Sequence, residues 1–488
     1  MTTTRGAVFE IARITVELRT AFLVGSGRGD DLHDAVGVQD ANGLPTLPGA
    51  TIAGLLRHAI ADGGAPGSAA RADQAFGFQR GRSGRDDAEA QASNVEVSFA
   101  HVHDAHDRPV PFRDATMEPD PVLDLLSAGI VRDHVRLSDL GVVDDAGKFD
   151  QQVMPAGARF TFEIVVHEAS PVKAHELLLS LAAPLFRIGA HGRGGLGRVA
   201  VVAASVRRFD LRQDADWQAW MQLPRALHEA VPKGLLTPVD VVALACDADA
   251  KSEAIHATLT LEPEDYWMFG GGDPILDAHH KKTGKSQDEK PIALVPVTEP
   301  RIRWEGSRGV VDLVPSHPIP ASGLKGAIRH RVAFHALRLR GKHRPRDWQR
   351  GLGDELQDPT SCPEVCALFG KANGDEGQRG RFLITDTWIE SPTYGHLEHV
   401  SLDRFTQGPL DHHLFSEAPL YKGQLKIEIV VDPHGSSIDA SARNALAASL
   451  DDLCEGRLAI GAAAGRGHGF MRGRVAWSDH GRWLKEGA

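Results

Sequence analysis

The chain repeats itself. LPTLPGATIAGLLRHAI (Leu44 to Ile60) returns as SHPIPASGLKGAIRHRV (Ser316 to Val332), with Pro48 matching Pro320 at an offset of 272. IGAHGRGGLG from Ile188 returns as IGAAAGRGHG from Ile460 at the same offset. Between these anchors HVRL (His134 to Leu137) pairs with HVSL (His399 to Leu402), and EIVV (Glu163 to Val166) with EIVV (Glu428 to Val431), both at 265. Four matches in one order, with small drift, mark a tandem duplication, so whatever unit forms must form twice. The reading divides the chain into residues 1–240 and 241–488, with about 208–240 as the joint.

Each unit reads the same way. An opening strand (ARITVELRTAFLV; ATLTLEPEDYWMF) runs into a glycine cluster and a loop, then a proline leads into a helix (TIAGLLRHAIA; SGLKGAIRHRVAFHALRL). Further strands and an insertion follow, then a β-branched strand (RFTFEIVV; QLKIEIVV), a late helix, a Gly-rich loop and a last strand. Strands interleaved with single helices predict an α+β fold with a ferredoxin-like βαββαβ core in each repeat.

The Gly-rich loop poses a question of its own, because Gly192, Gly194 and Gly197 stand at the G-x-G-x-x-G spacing of a dinucleotide site. That fingerprint works only where a strand enters and a helix leaves. Here HELLLSLAAPLFR reads as a helix entering and VAVVAASV as a strand leaving, so an NAD site is not expected. Four scattered cysteines exclude a disulfide framework, and no run of apolar residues is long enough for a membrane span. The N-terminus lacks a signal-peptide pattern, and a cytoplasmic protein with no membrane partner is expected. The net charge of −11 argues against a nucleic-acid partner only weakly. Screening confines phosphate contacts to the local field, within about 8 Å at physiological salt.

The ordered parts GSGRGDD, LPTLPGATIAGLLR, Phe76–Gly77 and IGAHGRGGLGR, with IPASGLKGAIRHR, CPEVCALFG and IGAAAGRGHG in the second half, resemble the RAMP superfamily of CRISPR-associated proteins. More specifically, they are similar to the backbone subunits of type III effector complexes. The resemblance covers most of both halves and implies a subunit that lines a guide RNA, two filament units in one chain. Its expected partners are CRISPR guide RNA, complementary target RNA and other effector subunits.

Phosphate contacts are then expected at the Gly-rich loops, through Arg193, Gly194, Gly195 and Arg198 in the first half and Arg466 and Gly467 in the second. Arg57, Lys325, Arg329 and Arg331, just after the two helix starts, are expected to join them. Tight turns and outward-facing helix charges explain the same residues without RNA.

The loop GRGDDLHDAVGVQDANGLP offers Asp30, Asp31, Asp34 and Asp40, among which composition does not choose. The resemblance implies Asp34 as the catalytic aspartate of an endoribonuclease that cuts target RNA with Mg²⁺ or Mn²⁺. In the second half the 272 offset places Gly306 there, and the longer loop either moves the acid to Asp277 or leaves that half inactive; Asp277 is the expectation. Cys362 and Cys366 form half a zinc site, with His343 as a further candidate ligand; alternatively they are buried small hydrophobes. The alternatives to a target-cleaving subunit are a non-catalytic scaffold on the same RNA or a guide-processing ribonuclease using histidine.

Overall fold

The computed structural model describes residues 6–30, 33–63, 66–80, 89–112, 118–137, 143–270, 292, 294–312, 316–339, 362–371, 377–433 and 438–485. The first half comprises β1 (Val8–Leu18), α1 (Gly49–Ala61), β2 (Val95–Val97), a long hairpin of β3 (Ile130–Leu137) and β4 (Val143–Val153), β5 (Arg159–His167), α2 (Ala174–Ala182) and β6 (Val199–Asp210). A further helix, α3 (Val241–Lys251), follows the joint. The main path of the sheet runs β6-β1-β5-β2, every pair antiparallel. Numbered within the repeat, that order is 4-1-3-2, with α1 and a short second helix (Ser68–Phe76) in the first crossover and α2 in the second, which is the ferredoxin-like topology.

The second half builds the same path. It comprises β7 (Ile255–Pro263), a small hairpin of β8 (Ile302–Glu305) and β9 (Arg308–Val311), α4 (Ala321–Leu339), β10 (Phe382–Ile384), a long hairpin of β11 (Leu397–Leu402) and β12 (Pro409–Glu417), β13 (Leu420–Val431), α5 (Ala440–Cys454) and β14 (Met471–Trp477). Its sheet runs β14-β7-β13-β10.

Alternation explains both sheets. In β1, Ala12, Ile14, Val16 and Leu18 turn to the helical side, and cross-strand pairing sets Ile14 opposite Phe162 and Val16 opposite Phe160. In the second sheet Leu259 lies opposite Ile427 and Ala257 opposite Ile429, under α4 and α5. A side chain of this kind contributes roughly 1.5–3 kcal/mol when fully buried, so each half has its own core. Gly49 shows how tightly α1 sits on its sheet: a Cβ there would stand 2.1 Å from the Val97 carbonyl oxygen.

The halves interlock. Helix α3 lies beyond the expected boundary at 240, yet its Leu244 is buried in the first core. The β8–β9 hairpin, from the second half's long loop, also packs on the first core through Ile302 and Trp304, with the Trp304 indole N–H donating to the Gly157 carbonyl at 2.7 Å. The guanidinium of Arg159 lies over the Trp304 ring at 4.1 Å. Asp277 lies outside the described residues, as does His343.

Candidate nucleic-acid interface

The first Gly-rich loop forms where the sequence order requires, between helix α2 and strand β6. A single 3₁₀ turn, Gly192–Gly194, carries it, flanked by His191 and Gly195 in left-handed backbone conformation. Gly195 has φ +111°, and a Cβ on it would meet the Asp386 carboxylate at 2.1 Å and the Ala321 side chain at 2.5 Å. Glycine is needed there because the loop presses on the N-terminus of α4 in the other half. That N-terminus is capped by Asp386, whose Oδ1 accepts from the Ala321 N–H at 2.9 Å.

The arginines of this loop lie on the seam between the halves. Arg193 donates to the Gly380 carbonyl, Arg198 pairs with Glu428 on β13, and Arg187 reaches the Thr385 hydroxyl at 3.3 Å. Lys325 of α4 completes the contact by donating to the Arg193 carbonyl at 2.8 Å. Expected as phosphate ligands, Arg193 and Arg198 thus have protein partners, and both remain partly exposed.

The seam also holds cations that are largely buried. Burial, with the Arg329 charge adding to it, pushes the Lys325 ammonium down to about 8. Burial and then the Arg198 charge push the Arg187 guanidinium down to about 10, with Glu428 opposing. The Nε of Arg329 is buried without a hydrogen-bond partner. Burial disfavours the charged form of both cations, and an anion beside them would oppose that effect.

The remaining expected contacts are dispersed. Arg57 pairs with Asp73 on the face of α1, and Arg331 joins His335 and Arg457 around Asp452, locking α4 to α5. Burial opposes ionisation of Asp452, but hydrogen bonds from Arg457, His335 and Arg331 prevail and hold its carboxyl at about 2. In the second Gly-rich loop Arg466 pairs with Glu417 at 2.7 Å, while Gly467 faces open space with φ +92°.

Asp34 stands on the loop after β1, folded against the long hairpin. Its N–H donates to Asp150 Oδ1 at 2.9 Å, and its Oδ2 accepts from the Asp150 N–H at 3.1 Å. The side chain is exposed beside the Asp150 carboxylate, with His33 Nδ1 3.9 Å from that carboxylate. Asp40, by contrast, is consumed by its own turn, accepting from the N–H groups of Asn42 and Leu44.

Both long hairpins repeat one internal arrangement. His134 stacks on Phe149 at 4.9 Å in the first, and His399 on Phe415 at 5.0 Å in the second. Below them the repeats differ: Gln151 meets His191 at 2.9 Å, whereas fully buried Glu417 faces His399, His468 and Arg466. Burial lowers the pKa of both His134 and His191. Val135, Leu137 and Val143 on one hairpin, and Val400, Leu402 and Phe405 on the other, are exposed.

Metal sites are sparse among the described residues. Asp104, His106 and Asp120 form the group of three metal-capable side chains, but Asp104 is held by Arg108 and two backbone N–H groups, and Asp120 caps a helix. Cys362 caps the short helix Pro363–Phe369 and packs on the second core, and no third ligand joins it and Cys366 among the described residues.

A family model of the RAMP superfamily matches residues 15–200 and 309–472, well over half of the chain. The chain belongs to the RAMP superfamily. It is a tandem RAMP-domain, CRISPR-associated protein, one ferredoxin-like core per matched region, of a family whose members bind CRISPR RNA. No curated protein matches it. Among the described residues no helix of this RAMP protein is long and apolar enough to cross a membrane.

One set of residues at the seam escaped the sequence. Arg132 of the first hairpin is bound by Glu299 at 2.6 and 2.8 Å and by Asp386 at 2.6 Å, all three buried. Burial alone would lower the Arg132 pKa; the charges of Asp386 and Glu299 override it and raise it. The partners are 167 and 254 residues away, and no local pattern announces them.

Proposed function

We propose that this chain is a guide-RNA-binding backbone subunit of a type III CRISPR effector complex, and that its first half cleaves complementary target RNA at Asp34. The observation that carries the RNA contact is the cluster of basic side chains beside the first Gly-rich loop, where Lys325 meets the Arg193 carbonyl and the Nε of Arg329 is buried without a hydrogen-bond partner. A phosphodiester supplies one negative charge per nucleotide and needs no particular base, which suits a guide of any sequence.

Cleavage is argued from the Asp34 loop. RNA hydrolysis by 2′-hydroxyl attack needs a group to position or deprotonate that hydroxyl and charge to stabilise the crowded phosphate. Asp34 and Asp150 present adjacent hard oxygen donors, a chemistry that suits Mg²⁺ or Mn²⁺. The ion, when bound, supplies Lewis acidity at the phosphate. Asp34 would hold it from an exposed position, and Asp150 fixes the loop to the hairpin by the reciprocal backbone bonds. The exposed apolar edges of the two hairpins suit contact with unstacked bases where guide and target part.

A scaffold reading is favoured for the second half by one observation. Gly306, which the repeat offset sets against Asp34, forms the turn of the β8–β9 hairpin on the first core and carries no acid.

The test is cleavage of a labelled complementary RNA by the guide-loaded complex in Mg²⁺. Asp34→Ala is expected to slow one product band by at least about 100-fold while target affinity stays unchanged. Asp277→Ala is read in the same gel, and survival of every band in both variants would make the chain a scaffold.

A further inference from the structure

The sheet face turned away from α1 and α2 holds a cavity of about 520 Å³ that the RNA-backbone reading does not use. Its floor is polar: Thr15 and Thr161 share a hydrogen bond at 2.7 Å, and His103 is held between Thr161 and Asp107. One wall is made by a β-bulge. Pairing of β1 with β6 slips between Thr15 and Val16, leaving Val202 without a partner, and both Val202 and Ala203 line the cavity. Bulges of this kind re-aim side chains beside binding sites. The joint supplies the other wall, Leu227 and Val231, and an exposed carboxylate at the rim, Glu229.

One group in this cavity is chemically unfinished. Arg13 is 8% exposed; its Nε donates to Glu163 at 2.8 Å and its Nη2 to the Pro224 carbonyl, but its Nη1 is buried with no hydrogen-bond partner. A buried donor left unmade costs about 1–3 kcal/mol, so the site calls for an acceptor. An anion is the wrong acceptor. Arg13 is already matched by Glu163, Arg159 faces both Glu17 and Asp107, and Glu229 adds a further negative charge.

We propose that this cavity binds a single unstacked nucleobase. A neutral planar ring fits between the apolar walls, its acceptor edge meets Arg13 Nη1, and an adjacent N–H finds Glu229. Every base offers an acceptor next to a donor, and the volume falls within the range of small-ligand sites, roughly 300–1,000 Å³. The base can belong to an RNA strand or to a free nucleoside, and the site does not depend on Lys325, Arg329 or Asp34.

The experiment has two arms. Calorimetry on the full chain with each of the four neutral nucleosides reads the free ligand. Photo-crosslinking of the guide-loaded chain with thiobase-substituted RNA, followed by peptide mapping, reads the strand. Binding of at least one nucleoside, weakened at least about tenfold in Ala203→Leu, which fills the cavity, and in Glu229→Gln at the exposed rim, supports the site. An adduct on residues 199–231 that disappears in Ala203→Leu supports it with RNA as the source. Failure of both arms overturns the proposal, as does inorganic phosphate binding that Arg13→Met removes. Loss of guide binding with nucleoside binding intact would instead count against the proposed function alone.

Discussion

Lys325 shows how one side chain can report on a partner. Its folded pKa of about 8 lies below the ordinary lysine value of 10.5, so the free protein holds fewer protons than the unfolded chain between those limits. Stability therefore rises with pH through that window, as the cost of a buried charge is relieved. RNA reverses the preference, because a phosphate favours the ammonium. Guide-RNA affinity is expected to be highest below pH 8 and to fall as pH rises from 7.5 to 9, measured by filter binding at fixed salt. Lys325→Met should bind more weakly at pH 7 and lose most of that pH dependence. An unchanged pH profile in the variant would place the phosphate elsewhere. Lys325 was legible as a basic residue after a helix start, but its burial was not, because that is created by a loop more than a hundred residues away in the other half.

At the scale of elements, the two long hairpins present apolar side chains to solvent. Phe405 in the second turn is 89% exposed, and Leu402 is 58% exposed. Surface positions of this kind change stability by less than about 0.5 kcal/mol when substituted. Phe405→Ser with Leu402→Ser is thus expected to leave the melting temperature within about 2 °C of wild type and guide binding intact. Target-RNA binding by the guide-loaded complex should weaken, read by competition with labelled target. Equal weakening of guide and target would argue that the hairpin merely supports the fold. The strands and crossover helices were visible in the sequence because alternation and helical spacing are local, as in ARITVELRTAF and TIAGLLRHAIA. The β8–β9 hairpin was not, since Ile302 and Trp304 are made apolar anchors by the first half's core rather than by their neighbours.

At the scale of the whole molecule, the duplication predicts two equivalent units, and the structure makes them unequal by fastening one to the other. The first half's Gly-rich loop docks on the second sheet through Arg187, Arg193 and Arg198, and the 272 offset sets Ala459, Gly465 and Phe470 in their place in the second loop. The docking chemistry is therefore carried by one repeat alone. Its central tie is Arg132 between Glu299 and Asp386, which joins the first hairpin to the second half's loop and to the cap of α4. Burying such a triad contributes little net stability, because desolvation offsets attraction, but removing its single cation strands two buried carboxylates. Arg132→Met is expected to cost about 3–5 kcal/mol in chemical denaturation. Combining it with Glu299→Gln and Asp386→Asn removes the stranded charges, while the side-chain amide introduced at the α4 cap still offers an acceptor to the Ala321 N–H. The triple variant should recover most of the loss. If it remains as unstable as Arg132→Met, the cost lies in packing at the seam rather than in charge, and the interlock of the halves would rest on Ile302, Trp304 and the Gly195 contact instead.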